Sequence, residues 1–124
     1  MAETGLFGAY KFTQDNIDKY CATAGIGVYA LDKTKDGNFT VAYVGRSDSD
    51  LPGRLAKHLG KGYQYFKYGY FETTLAAFER ECRIYHDFNP PDNDIHPDAP
   101  DGTSYTCPVG GCARAKKTQT YRGW

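Results

Sequence analysis

The chain has no net charge and no segment of the kind that spans a membrane. Its 15 basic residues balance 15 acidic ones, which gives a formal net charge of +0 over 124 residues and argues against a strongly basic nucleic-acid binder. No apolar run approaches the length of a transmembrane helix, and the first residues do not resemble a signal peptide. We therefore expect a cytoplasmic protein with reduced thiols and no membrane partner.

Cysteine is too sparse to define a metal site from the sequence. Cys107 and Cys112 are the close pair among four cysteines, and no second pair completes a zinc motif. A local disulfide, a structural zinc ion and two free thiols are all open for this pair, which we expect to stabilise the segment after Pro91 without taking part in catalysis. His86 and His96 lack partners in the pattern, so we expect them at surface or loop positions.

The chain contains enough apolar and aromatic residues to form one packed domain. Hydrophobic residues make up 40% of the sequence and aromatic residues 15%, with 11 tyrosines, so we expect a folded core. The charges are spread unevenly: residues 46–67 include five basic and two acidic side chains, and residues 114–122 include four basic ones. A locally positive face is therefore compatible with a neutral protein.

The first half of the chain predicts a hairpin. Residues 1–12 show no clear pattern, and residues 15–21 favour a short helix. Residues 26–31 and 40–45 are rich in β-forming side chains and flank a loop that contains the turn dipeptide Asp36-Gly37. We expect these two runs to pair as antiparallel strands.

The second half predicts two helices separated by a strand. Leucine recurs at every fourth position over residues 51–59, as on one face of a helix. Residues 65–72 are aromatic and predict a third strand. A longer helix follows, capped by Thr73 or Thr74, and continues to about Phe88.

Glu81 on this longer helix lies at a position where an ionised carboxylate is energetically unfavourable. At about 100° per residue it falls within an arc of apolar side chains, whereas Glu79 lies outside that arc. An ionised carboxylate among apolar neighbours is unfavourable unless it is paired or binds a cation. Glu81 is therefore a candidate metal ligand, and the alternative is a glutamate that reaches water from the edge of the stripe.

Arg54 and His58 stand four residues apart and share one face of the shorter helix. Such a pair can hold a phosphate and shuttle a proton, although an ordinary solvated helix face carries the same residue types. Tyr29 and Tyr43 have an equally ordinary alternative as packed strand aromatics. Arg46, directly after the second strand, is placed to reach a phosphate.

Two short motifs resemble the signature of the GIY-YIG nuclease superfamily. They are Gly27-Val28-Tyr29, with valine for the usual isoleucine, and Tyr43-Val44-Gly45 after a short loop. The family pattern then has an arginine, a histidine or tyrosine one turn later and a metal-binding glutamate, which fall here on Arg54, His58 and Glu81. The resemblance covers about residues 25–93, with Arg54 one residue further along than in several relatives.

The family often continues with a proline and an asparagine. Pro90 and Asn93 stand nine and twelve residues after Glu81, which is similar to the spacing in the N-terminal incision domain of excision-repair nucleases. With this spacing, Glu81 and not Glu79 corresponds to the metal-binding glutamate of the family, in agreement with the position of Glu81 on the apolar face of the helix. The resemblance implies an α/β (α+β) fold, a small and largely antiparallel three-stranded sheet flanked by helices, with a nuclease-like domain at residues 1–93 and an irregular C-terminal extension at residues 94–124.

The resemblance also implies an activity, the metal-dependent hydrolysis of phosphodiester bonds in DNA, with RNA as an open alternative. A phenol normally titrates near pH ~10, so a catalytic tyrosine would need nearby cations to lower its pKa. Glu81 would hold one Mg²⁺ or Mn²⁺. Tyr29 would act as the general base, Tyr43 would position water or the ion, and His58 would assist proton transfer. Arg54 would neutralise the phosphate, and Arg46 and Lys57 would contact it. Asn93 would brace the site.

Two other functions are compatible with the sequence. The main alternative is a catalytically silent domain of the same fold that binds nucleic acid or a protein, which the neutral charge and the lack of a sequence-reading module favour. A more distant alternative is a thiol enzyme that uses Cys82 with a histidine. Cys82, however, lies on the apolar arc of its helix, where an inert thiol is expected.

Overall fold

A computed structural model describes residues 4–34, 38–109 and 112 as a four-stranded antiparallel sheet with three helices. The predicted small α+β fold is confirmed, and the prediction of three strands is wrong, because an N-terminal strand adds a fourth. The turn at Asp36-Gly37 and the basic residues 114–122 lie outside the described residues. In chain order the helices and strands are β1 (Phe7–Lys11), α1 (Gln14–Tyr20), β2 (Gly27–Asp32), β3 (Tyr43–Ser47), α2 (Leu51–Ala56), β4 (Tyr65–Tyr70) and α3 (Thr74–Phe88).

Strand β1 has no signature in the sequence. It pairs with β4 at one edge of the sheet, whose strand order is β1-β4-β2-β3, and four of its five residues are exposed. An exposed edge strand has no buried face to impose an alternation of apolar and polar side chains. This is why residues 1–12 show no pattern although part of them forms a strand.

Strand β2 is the centre of the fold, and all six of its residues are buried. It pairs antiparallel with β3 on one side and with β4 on the other. The expected hairpin of β2 and β3 is therefore confirmed, with β3 beginning at Tyr43 and not at residue 40. The register sets Tyr29 directly opposite Gly45.

The side chains of β2 alternate between two cores, one on each face of the sheet. Tyr29 and Leu31 pack with α1 and α2, whereas Val28 and Ala30 pack with α3. A fully buried aliphatic side chain stabilises the fold by roughly 1.5–3 kcal/mol. The first core also contains Phe12, Ile17, Cys21, Leu51, Leu55 and Phe66, and the second contains Val41, Val44, Ala77 and Ile84.

Helix α2 ends earlier than the leucine pattern predicts. The Asp50 carboxylate caps its first turn by accepting the Gly53 N–H at 3.2 Å, and the α-helix ends at Ala56. The N–H groups of His58 and Leu59 then bond to carbonyls three residues earlier. This tighter turn holds His58 beside the end of the helix.

Helix α3 has the bounds that the sequence predicts. The Thr73 hydroxyl accepts the Ala76 N–H at 3.0 Å, and Asn89 ends the helix in the left-handed conformation with φ of 48°. None of the helices in the described part of the chain is long and apolar enough to cross a membrane. The buried residues of α3 are Ala77, Phe78, Glu81, Cys82 and Ile84.

The chain that follows α3 covers the outer edge of β3. The Asp92 N–H donates to the carbonyl of Ala42 at 2.9 Å. The Asn93 side chain bonds to both backbone groups of Val44, accepting its N–H at 2.8 Å and donating to its carbonyl at 2.9 Å. These contacts satisfy part of an edge that would otherwise present unpaired backbone groups.

Candidate functional site

The glycines of the two motif triplets lie where a side chain would not fit. A Cβ on Gly45 would overlap the hydroxyl end of the Tyr29 side chain, which crosses over it from the neighbouring strand. A Cβ on Gly27 would lie 2.7 Å from Leu51 Cδ2 and 2.8 Å from the carbonyl oxygen of Gly69. Close packing thus accounts for both glycines, and the missing side chain at Gly45 fixes the path of the Tyr29 ring.

Tyr29 and His58 meet at the end of α2. The Tyr29 hydroxyl lies 2.8 Å from His58 Nε2, and the side chain of Tyr29 is fully buried. The Tyr43 ring lies against the same imidazole, with ring centroids 5.0 Å apart. Three predicted site residues from β2, β3 and the end of α2 are therefore in one cluster.

Lys61 influences which nitrogen of His58 carries the proton. Its ammonium nitrogen lies 3.3 Å from His58 Nδ1, and an ammonium can only donate hydrogen bonds. That contact favours the neutral tautomer in which Nδ1 accepts and Nε2 carries the hydrogen. His58 then donates to the Tyr29 oxygen.

Burial controls the protonation of this cluster. It raises the pKa of Tyr29, with a smaller contribution from Tyr43, while the charge and hydrogen bond of Arg54 lower it. Burial, together with Lys61 and Arg54, lowers the pKa of His58 to about 4. At neutral pH the cluster therefore holds a neutral phenol and a neutral imidazole.

Glu81 is buried on α3, as its helical position predicts. It is 7% exposed, and its Oε1 accepts a hydrogen bond from Arg46 Nη1 at 2.7 Å. Burial raises the pKa of Glu81 to about 7, against the opposing charge of Arg46. The carboxylate thus loses its proton close to neutral pH.

Arg46 has three partners around this carboxylate. Besides Glu81, it forms an ion pair with Asp48 at 2.7 Å, and it donates to the backbone carbonyl of Asp98 at 2.8 Å. Its guanidinium also lies 5.6 Å from the centre of the Phe78 ring. The structure thus pairs Arg46 with protein groups, and contact with a substrate phosphate stays a prediction.

The tyrosine cluster and Glu81 influence each other through their charges. Tyr29 faces the α2 side of the sheet, whereas Glu81 projects from α3 on the opposite side. The negative charge of Glu81 nevertheless contributes to the raised pKa of both Tyr29 and Tyr43. Arg54 lowers the pKa of Glu81 as well as that of Tyr29, so its charge acts on both groups.

An open cleft brings together the basic residues that the sequence predicts as phosphate ligands. Arg46, Arg54 and Lys57 all line it, and its volume is ≈ 440 Å³. Arg54 and Lys57 are exposed, so their charges are available to an anion from solution. The remaining lining residues are Ser47, Asp48, Ser49, Asp50 and Gly53.

The Asn93 side chain bonds to the backbone of β3. Both ends of its amide bond to Val44, which stands between Tyr43 and Gly45 in the second triplet. Its neighbour Asp92 accepts hydrogen bonds from Tyr63 and Lys33, each at 2.8 Å. The geometry is that of a brace on β3, and a contribution of Asn93 to catalysis stays a prediction.

Tyr63 and Lys61 belong to the site although the sequence does not single them out. The ring of Tyr63 lies 6.3 Å from that of His58, and Lys61 contacts the same imidazole. Both follow α2 in a turn whose path depends on tertiary packing. The only available signal is that they lie within the basic stretch of residues 46–67.

His96 lies in the loop after α3 and His86 in the last turn of that helix, and both have partners that the sequence pattern does not indicate. Their Nε2 atoms lie 3.2 Å apart, and Cys112 Sγ lies 3.5 Å from His96 Nε2. Together with Cys107 they form a group whose ligand atoms all lie within 4.8 Å of one another. All four cysteines of the chain are free thiols, so Cys107 and Cys112 do not form a disulfide here.

No protein-family model, no curated protein sequence and no solved structure matches this chain.

Proposed function

We propose that this protein is a GIY-YIG type endonuclease that hydrolyses phosphodiester bonds in DNA with the help of Mg²⁺ or Mn²⁺. The observation that carries the proposal is the 2.8 Å contact between the Tyr29 hydroxyl and His58 Nε2. An ordinary solvated helix face would leave His58 in water. Its contact with a buried tyrosine of the first triplet is what a shared proton-transfer role requires.

Substrate phosphates would bind in the cleft beside this pair. The exposed Arg54 and Lys57 line it together with Arg46, and guanidinium groups match phosphate oxygens in geometry and charge. The cleft gives a neutral protein a local cationic surface. Arg54, next to the Tyr29 hydroxyl, would neutralise the charge that builds on the phosphate in the transition state.

Glu81 fits the proposed ion by its donor chemistry. Mg²⁺ prefers oxygen ligands and is commonly held by one or two carboxylates, with substrate phosphates and water completing the shell. A single buried carboxylate that ionises near neutral pH meets this requirement, provided that Arg46 releases it. When bound, the ion would act as a Lewis acid that withdraws charge from the scissile phosphate.

Proton transfer would fall to Tyr29 and His58. The Nε2–H of His58 is directed at the phenol oxygen, and Arg54 lowers the pKa of Tyr29. Both effects favour the phenolate. The phenol would first release its own proton to solvent, a step that the positive charges of Arg54 and the bound cation would favour, and the resulting phenolate would accept a proton from the attacking water. Tyr43 would orient that water, and Asn93 would hold the intervening backbone of β3.

The proposal is tested by incubating the purified protein with linear, branched and single-stranded DNAs in Mg²⁺, Mn²⁺ or EDTA. We expect cleavage of at least one substrate with either metal and none with EDTA. An equivalent set of RNAs determines whether the activity extends to RNA. Cleavage that persists in EDTA would rule out the metal-dependent mechanism.

A catalytically silent binding domain is the second candidate, and one observation favours it. Arg46 Nη1 lies 2.7 Å from Glu81 Oε1, and Arg46 also forms an ion pair with Asp48. The proposed metal ligand therefore already has a cationic partner. A domain that only binds DNA or a protein would keep this ion pair for stability. Binding of the DNA panel without cleavage under any metal would support this alternative.

A further inference from the structure

A second cluster of reactive side chains lies at the C-terminal end of α3, and its members are not among the residues that line the cleft. His86 belongs to the last turn of the helix, and the chain after Asn89 returns to bring His96, Cys107 and Cys112 beside it. Two imidazoles and two thiols meet here from widely separated positions. We propose that these four side chains bind one zinc ion in a closed, structural site.

Two of the distances between ligand atoms match those of a tetrahedral zinc site. With bonds of about 2.0–2.1 Å to nitrogen and about 2.3 Å to sulfur, tetrahedral geometry places two nitrogens about 3.3 Å apart and a nitrogen and a sulfur about 3.6 Å apart. His86 Nε2 and His96 Nε2 are 3.2 Å apart, and Cys112 Sγ is 3.5 Å from His96 Nε2. All four ligand atoms lie within 4.8 Å of one another, so small side-chain rotations would bring the wider pairs to bonding distance of one ion.

His96 is already oriented as a metal ligand. Its Nδ1 lies 2.8 Å from the carbonyl oxygen of Pro97, and a carbonyl can only accept, so Nδ1 donates the hydrogen. In the neutral ring Nε2 then carries the lone pair, and this atom is the one that faces His86 Nε2 and Cys112 Sγ. A second hydrogen bond of this kind commonly fixes the tautomer and the ring angle of zinc-bound histidines.

The donor set selects zinc and differs from that of the proposed catalytic site. Two sulfurs and two imidazole nitrogens are characteristic of structural Zn²⁺, whereas Mg²⁺ and Mn²⁺ favour oxygen. Both thiols are free. The Cys107-x4-Cys112 spacing fits a zinc knuckle.

A zinc ion here would fix the segment that follows α3. Cys107 is buried against Phe78 and Cys82 of α3, and the same segment carries the Asp98 carbonyl that accepts from Arg46. The described part of this segment has no helix or strand beyond residue 88. A metal cross-link to His86 would supply the stability that secondary structure does not.

The first test is elemental analysis of the protein purified without chelator and dialysed against buffer with trace zinc. We expect one zinc per chain. Replacement of zinc by Co²⁺ should give the visible bands of a tetrahedral ion and a thiolate-to-metal charge-transfer band. A wild-type protein without zinc, or a Co²⁺ spectrum without thiolate character, would overturn the proposal.

Substitutions identify the ligands. His86→Ala and Cys112→Ser should lose the ion, whereas Cys82→Ala and Cys21→Ser, which remove thiols outside the group, should keep it. His86→Cys supplies a new ligand and should retain zinc, which distinguishes a ligand role from a folding defect. Full zinc content in a Cys107→Ser, Cys112→Ser double variant would contradict the assignment. None of these measurements depends on nuclease activity.

Discussion

The hydroxyl of Tyr29 and the Nε2 atom of His58 lie 2.8 Å apart although the residues are 29 positions apart in the sequence. Tyr29 is placed by β2 and by the open space above Gly45, and His58 is placed by the tight turn that ends α2. Lys61 and Arg54 add positive charge around the pair. The pair is therefore a fixed feature of the fold, and its proposed role in proton transfer can be tested by substitution.

Tyr29→Phe and Arg54→Ala should reduce cleavage much more than DNA binding. Both side chains would act mainly on charge and protons in the transition state, and loss of a general acid or base typically lowers a rate by roughly 10²–10⁴-fold. Single-turnover cleavage and fluorescence anisotropy measure the two quantities separately. Equal losses in binding and cleavage would assign both residues to simple DNA binding.

Lys57→Ala provides the contrasting case for the cleft. This exposed residue lines the cleft at the end of α2, so it should contribute to the attraction of phosphates and not to the reacting atoms. We expect weaker DNA binding with a smaller salt dependence and a nearly unchanged rate at saturating DNA. A large loss of that rate would place Lys57 at the reacting phosphate.

Cleavage at limiting metal should rise with pH around neutrality. Burial raises the pKa of Glu81 to about 7, so the carboxylate is largely protonated below that pH and becomes available to a cation above it. Higher concentrations of Mg²⁺ or Mn²⁺ compete with the proton and should shift the midpoint of the profile to lower pH. A midpoint that does not move with metal concentration would remove Glu81 from the metal site.

Gly45→Ala should destabilise the protein and displace the Tyr29 ring. The new methyl group would overlap the hydroxyl end of the Tyr29 side chain, and overpacking of a core typically costs about 1–3 kcal/mol. Urea unfolding gives the free energy of unfolding, and Gly25→Ala, whose nearest neighbour is 3.3 Å away, is a milder control. In a Tyr29→Ala background the cost should shrink, and a cost that stays the same would show that the ring is not the obstacle.

The parts of the fold that follow a buried periodic pattern could be predicted from the sequence. Val28 and Ala30 alternate with Tyr29 because β2 lies between two cores, and Glu81 lies on the apolar face of α3 because helical periodicity is regular over its fifteen residues. The pairing of β2 with β3 follows from two β-rich runs around a short loop.

Other features depend on tertiary contacts that leave little trace in the sequence. β1 is exposed at an edge, so its side chains carry no alternation. The meeting of His86 and His96 with the two cysteines depends on how the proline-rich chain folds back onto α3. Nine, ten and four residues lie between these four side chains in sequence order. Only the spacing of the two cysteines matches a familiar zinc motif, which is why the histidines could not be assigned as ligands.

The most direct test of the proposed function is the rate of DNA cleavage by Glu81→Gln. Glutamine keeps the size of the side chain but removes the charge that would hold the ion, and Glu79→Gln makes the same change two residues away on the same helix. With the wild type active in Mg²⁺ or Mn²⁺, we predict that Glu81→Gln abolishes cleavage while Glu79→Gln retains it and both variants remain folded. Undiminished cleavage by Glu81→Gln would contradict the metal-dependent mechanism proposed for this site.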